Sequence, residues 1–354
     1  MRRTSVFALV VAFVSLLLVS PVRAQQGLND LSDLGKTLQT ISGEYADSYV
    51  QPITNTFGAG VNGGLFRSAD VGNSLIPGFP FNVYAGVSVS GTFTSSMKTS
   101  FQPFGDGQTS FTSNGQEFTV THRNSRGNIA TNKVPTVLGE TEPPGSELVV
   151  ETEINGQTRE VARAKAPQGL LDTPFAPLVI PQVGVGSIAG TDVQLRYFPK
   201  SRLSWGGSSY GTVGVFGLAV RHDLDQWVPA PLPFNIAVQG AWNQFSLEND
   251  LAGGAQEVLD ASGWAVNLQA SKGVPILPII FYGGVQYEKF NVDYNYTFPV
   301  DGVDDPQISL SQTAANQYRA LAGFTLTFAI VRFNVDYAIG SDNNVVTTGL
   351  GVRL

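Results

Sequence analysis

The feature that most constrains this chain is a two-residue alternation of apolar and polar side chains, sustained over unusually long runs. From Phe81, Val83, Ala85, Val87 and Val89 fall on one face and Asn82, Tyr84, Ser88 and Ser90 on the other. The pattern returns with Phe234, Ile236, Val238 and Trp242 against Asn235, Gln239 and Asn243, then with Trp264, Val266 and Leu268 against Asn267, Gln269 and Ser271. Phe290, Val292 and Tyr294 oppose Asn291, Asp293 and Asn295. Tyr318, Phe324, Leu326 and Phe328 oppose Arg319, Thr325 and Thr327. Phe333, Val335, Tyr337 and Ile339 oppose Arg332, Asn334 and Asp336, and the last strand sets Val346, Leu350, Val352 and Leu354 against Thr347, Gly349, Gly351 and Arg353. Alternation of this kind is the mark of a strand with two different faces. Runs of about 9–14 residues exceed the usual soluble strand of about 5–6 and match the 9–11 of a tilted membrane-spanning strand.

Composition agrees with a barrel. Only 14% of the 354 residues are charged, against about a quarter in soluble domains. The polar faces are built from Asn, Gln, Ser and Thr rather than Lys and Glu. Aromatic residues near strand ends (Phe81, Tyr197, Trp227, Phe234, Trp264, Phe298, Tyr337) suit interfacial girdles. The joints Pro229–Pro233 and Gly273–Pro278 and the reversal at Ile330–Val331 are short, whereas 248–260 and 299–315 are long, as at the two ends of a barrel. A net charge of −7 and the lack of a basic surface argue against nucleic acid as a partner. With no cysteine, disulfides and thiolate metal sites are excluded.

Before the strands, Arg2 and Arg3, the apolar run Val6–Val19 and Val22-Arg23-Ala24 read as a signal peptide covering residues 1–24. Leu28, Leu31, Leu34, Leu38, Ile41, Tyr45 and Tyr49 then form one stripe of an amphipathic helix of about 20 residues, with Gln51-Pro52 expected to end it. The glycine-dense stretch from Phe57 to Ala69 implies tight turns or close approach to neighbouring chain, and lacks the spacing of a phosphate-binding loop. Residues 25–80 are thus expected to form a plug or cap, and 81–354 a barrel of about 12–14 strands. Within it, 95–177 reads as long extracellular hairpins with some strand content, or as a lumen insertion.

No catalytic role, cofactor or metal site is expected. His122 and His222 lack partners at metal spacing. Arg221-His222-Asp223 has no accompanying nucleophile and reads as a polar strand end. Asp301, Asp304 and Asp305 lack the ordered spacing of a calcium loop. The residues expected to line the lumen or hold the plug are Asn62, Arg67, Arg319, Arg332 and Asp336, because charge on the lipid face would cost about 2–4 kcal/mol at the midplane.

Tyr49-Val50-Gln51-Pro52, Asn62-Gly63-Gly64-Leu65-Phe66, Ser68-Ala69, Arg221-His222-Asp223-Leu224, Gln226-Trp227-Val228-Pro229 and the strand Pro233–Phe245 together resemble an uncharacterised family of bacterial outer-membrane proteins, a domain of unknown function. More distantly, a helix and Gly-rich segment ahead of the first strand is similar to the hatch of long-chain fatty-acid transporters, although their Asn-Pro-Ala hatch motif is missing. The resemblance implies an outer-membrane barrel. The expectation is a channel or transporter for a small or hydrophobic solute, with outer-membrane lipid around it. The alternatives are a surface or adhesion barrel without transport and a secreted β-sandwich that binds glycans.

Overall fold

The computed structural model describes Tyr45 and residues 47–71, 80–93, 99–113, 115–130, 133–136, 138–140, 145–166, 175–205, 208–229, 232–251, 254–297 and 307–354. The expected signal peptide, the stripe from Leu28 to Ile41, Phe298, and Asp301, Asp304 and Asp305 lie outside these residues. The chain divides into two compact units. One holds 54–94, 175–296 and 311–354, and the other takes in 1–53, 95–174 and 297–310.

The larger unit is a closed antiparallel barrel of ten strands. They are β1 (Asn82–Phe93), β2 (Phe175–Ile188), β3 (Thr191–Trp205), β4 (Ser208–Asp223), β5 (Asn235–Leu251), β6 (Gly254–Gly273), β7 (Ile279–Thr297), β8 (Tyr318–Phe328), β9 (Val331–Gly340) and β10 (Asn344–Arg353). Each pairs with its neighbour in sequence, and β1 closes on β10 from Tyr84↔Arg353 to Phe93↔Asn344. The count is ten rather than 12–14 for two reasons. Strands β6 and β7 run for 20 and 19 residues, twice the length that spans a bilayer. And the described residues among 95–174 contribute no barrel strand.

The alternation maps onto inside and outside. Val183, Val193, Leu195, Leu218, Val220, Val266, Leu268, Val285 and Leu350 are exposed on the outer face, while Ser88, Ser90, Gln182, Gln194, Gln239, Asn243, Asn267 and Gln269 are buried on the inner one. That is the reverse of a barrel built for water. Tyr197, Phe216, Trp242, Trp264, Tyr287 and Tyr318 form one outward row across β3 to β8, joined by the register pairs Phe216↔Tyr197, Trp242↔Trp264 and Tyr287↔Tyr318. Tyr287 and Tyr318 stack at 4.9 Å between centroids, and Trp264 meets Tyr287 at 5.3 Å. Phe328 stands at the opposite end of the 11-residue β8 from Tyr318. At about 3.3 Å per residue and a tilt near 40°, the two lie about 25 Å apart along the axis, the height of a lipid-facing band.

Beyond this aromatic row the faces exchange polarity. On β7, Phe281, Val285 and Tyr287 point outward, but Asn291, Asp293 and Asn295 occupy the same outward phase further along. Phe290, Val292 and Tyr294 point inward with Leu259, Ala261 and Phe245. The apolar stripe of Phe290, Val292 and Tyr294 is therefore not lipid-facing. It is an inward apolar collar on strands that have left the aromatic row behind.

The smaller unit is built on a four-stranded antiparallel sheet of Gln108–Ser113, Gln116–Asn124, Ser146–Ile154 and Gln157–Lys165, with a short pair Ser100–Phe101 and Val134–Pro135. The described residues between Ser100 and Lys165 thus include a small folded sheet. Val120, Val149 and Val150 are buried in it, and Tyr45 packs edge-on against Phe101 at 5.0 Å. Arg123 pairs with Glu151 at 2.8 Å.

Candidate functional site

The barrel's interior is occupied by its own chain. Helix 47–61 does not stop at Gln51-Pro52 but continues through Pro52 to residue 61. Burial overrides propensity here: from Thr54 onward this stretch runs down the inside of the barrel. Thr54 Oγ1 contacts Tyr294 Oη at 2.6 Å, and Phe57 packs on Phe245 at 5.0 Å in the apolar collar. Below the collar the contacts become polar. Arg319 donates to Ala59 O at 3.0 Å, Arg196 to Val61 O and Gly63 O at 2.7 Å each, and Gln286 to Asn62 O at 3.2 Å. Arg221 then donates to Ser68 O and Arg353 to Val71 O. The segment therefore descends from the long-loop end to the short-turn end, where Asn82 Nδ2 donates to Val71 O at 2.9 Å and the chain enters β1.

The glycines let this segment fit. A Cβ on Gly58 would meet Ala314 Cβ at 2.8 Å, and one on Gly63 would meet Ser90 Oγ at 2.9 Å. Gly64 combines φ +70 with a Cβ position 3.0 Å from Ser88 Cβ, so both its backbone and its surroundings exclude a side chain. Gly64→Val is expected to destabilise the folded barrel by about 1–3 kcal/mol or more, from overpacking and backbone strain. A lowered temperature of the heat-modifiable gel shift would show it, and an unchanged shift would count against this fit. Leu65 and Phe66 complete the packing against Ala219, Ala241, Ala265 and Tyr282.

Of the five candidate lumen or plug residues, Asn62 and Arg67 belong to the enclosed segment, and Arg319, Arg332 and Asp336 lie on the inward phase of β8 and β9, strung along the lumen. Asn62 accepts from Asn243 Nδ2 at 3.1 Å, and Arg319 pairs with Glu288 in full burial. Asp336 accepts from Tyr282 Oη at 3.0 Å. Arg67 and Arg332 lie within electrostatic range of each other at the short-turn end, as Arg319 and Asp336 do elsewhere in the lumen. Arg67 donates to Gln194 at 2.9 Å and lies 3.8 Å over the Tyr84 ring. Arg196, Arg221, Arg353, Glu288, Asp70 and Asp192 share the lumen but were not among the lumen or plug residues named from the sequence. The available signal was their phase, since Arg196 and Asp192 alternate with Tyr197 and Val193 as Gln194 does.

The Arg221-His222-Asp223 triplet is divided between faces. Arg221 turns inward to Asp192, whereas His222 sits at the strand end, contacting Thr191 Oγ1 at 2.9 Å and accepting from Trp227 Nε1 at 2.9 Å. The Asp223 carboxylate accepts from the Asp225 amide at 2.8 Å. In the smaller unit, burial pushes His122 below the ordinary histidine value, and its Nδ1 lies 3.2 Å from Ala130 O. A cavity of about 550 Å³ beside it is lined by Asn124, Arg126, Lys133 and Glu140. Among the described residues no cluster of His, Asp or Glu could hold a metal ion.

Among solved structures, the chain is similar to a loop-deletion mutant of OmpT, an outer-membrane protein of Vibrio cholerae (12% identity, TM-score 0.24, 77% of this chain and 99% of that one). It is also similar to the β domain of the Bordetella autotransporter BrkA (12%, 0.26, 78% and 99%) and to Ail, the attachment invasion locus protein of Yersinia pestis (15%, 0.25, 46% and 96%). These are outer-membrane barrels and not specifically fatty-acid transporters. Comparison with curated proteins finds no match. The model of one family of unknown function, DUF6588, matches residues 1–354, and the chain belongs to that family.

Proposed function

We propose that this protein resides in the outer membrane as a channel or transporter for a small solute, closed at rest by its own residues 54–71. The observation that carries the reading is the chemistry of the seal. Within the height of the apolar band, the segment is held largely by hydrogen bonds from Arg196, Gln286, Arg319, Arg221 and Arg353 to its backbone carbonyls. Each such bond contributes only about 0.5–3 kcal/mol net, because water replaces it when the segment withdraws. A wall of Asn, Gln, Ser and Arg then remains, suited to hydrated solutes.

Planar-bilayer recordings of the full chain and of a form lacking residues 45–71, checked for folding by heat-modifiable mobility, test this. Rare openings in the first and a steady conductance in the second are expected. No conductance in either form would overturn the reading. If the shortened form fails to fold, Arg196→Gln in the full chain is expected to raise the opening frequency, and no rise would count against the seal.

Sidedness is testable in the cysteine-free background. Short turns face the periplasm in such barrels. Ser341→Cys, exposed at the long-loop end, is expected to react with an impermeant maleimide on intact cells. Ile276→Cys, fully exposed in the 274–278 turn, should react only after the outer membrane is permeabilised. The opposite pattern would invert the orientation. A surface-binding role is the second reading, favoured by the folded sheet inserted between β1 and β2, which is far larger than a strand connection requires.

A further inference from the structure

We infer that the short-turn end of the lumen is a binding site for a small oxyanion, phosphate or carboxylate. The inference deepens the channel reading by naming the class of solute, but binding itself does not require conduction. Register brings the groups together. Arg353 on β10 lies opposite Tyr84, and Arg67 stacks on that same ring. Arg332 on β9 lies opposite Gly351, two residues from Arg353 on the same inner face. Arg221 reaches the carbonyl of Ser68, next to Arg67, and Arg196 lies within electrostatic range of Arg67. Four guanidinium groups thus share this end of a protein whose net charge is −7, with Arg196 next along the lumen.

The carboxylates facing them are few. Asp192 is taken by Arg221 and by the Ser187 amide at 3.1 Å. Asp70 lies within electrostatic range of Arg221, Arg332 and Arg353. Asp223 stands at the rim. Four cations against Asp70 and Asp192 leave an excess of positive charge at this end of the lumen. Arg332 ion-pairs with no carboxylate among the described residues, and its Nε is buried without a partner, as are Arg67 Nη1, Arg196 Nε and Arg221 Nε. These single unmet donors suit the oxygens of a phosphate or carboxylate, which would supply both the missing acceptors and the missing negative charge.

The test is calorimetric titration of the purified full chain with inorganic phosphate and, separately, acetate, at fixed ionic strength. Saturable binding of either is expected. Arg332→Gln should weaken it about tenfold or more, the loss of one charge-assisted hydrogen-bonding group. Arg163→Gln, on the exposed small sheet, should leave it unchanged. In anion-free buffer, Arg332→Gln should also raise the unfolding temperature by relieving repulsion, and phosphate should raise it more for the parent than for the variant. Absence of saturable binding, or equal loss in Arg163→Gln, would overturn the site. Non-selective conductance without phosphate binding would remove the site and leave the channel. Phosphate binding without conductance would do the reverse.

Discussion

Glu288→Ala is expected to destabilise the barrel by about 3–5 kcal/mol and to loosen the segment that fills it. Glu288 and Arg319 are each only 2% exposed as side chains and form an ion pair inside the barrel. Glu288 also accepts from Gln286 Nε2 at 2.6 Å. Removing one member of a buried pair leaves the other charge uncompensated, and that penalty dominates the loss. The consequence reaches the seal, because Arg319 also donates to Ala59 O and Gln286 to Asn62 O. Denaturant unfolding in lipid vesicles measures the first effect, and bilayer recordings measure the second as more frequent openings. The double variant Glu288→Leu/Arg319→Met is expected to recover much of the stability, since no charge is then buried, but not the closed state. If Glu288→Ala unfolds at the same denaturant concentration as the parent, the pair is hydrated and the lumen is not sealed at that level.

The sequence disclosed the barrel because a period of two survives whatever the strands pair with, and on each strand the alternate positions that carry Gln and Asn mark the inner wall without any contact being known. It misled where polarity depends on height as well as phase. Phe290, Val292 and Tyr294 carry the same alternation as Val266 and Leu268 but lie beyond the aromatic row, so the rule inverts and they point inward. Strand number was overestimated for a related reason, as β6 and β7 continue past the band. Helix 47–61 runs through Pro52 and carries Gly58 and Gly60, choices that local propensity opposes and only the narrow lumen explains. The arginine cluster was half legible. Arg67 and Arg332 could be named from phase and charge, but their meeting with Arg353 is a matter of register between β1, β9 and β10, which no single run of residues contains.

Leu268→Arg provides the sharpest discrimination between a barrel in lipid and one in water. Leu268 is 49% exposed, midway along the outer face of β6 between Trp264 and the short turn after Gly273. In lipid, an arginine near the band's midplane costs about 2–4 kcal/mol, so the folded fraction in vesicles should fall and its unfolding should shift to lower denaturant. In water the same change would replace an exposed leucine with a charged residue and alter stability by less than about 0.5 kcal/mol. Gln244→Arg is the matched control: it is outward and exposed, beyond Trp242, and faces Asp260 at 3.4 Å, so little loss is expected. Equal behaviour of the two variants would mean that the apolar belt faces no membrane. A loss confined to Leu268→Arg would locate the bilayer surface between them, at the aromatic row where inside and outside exchange polarity.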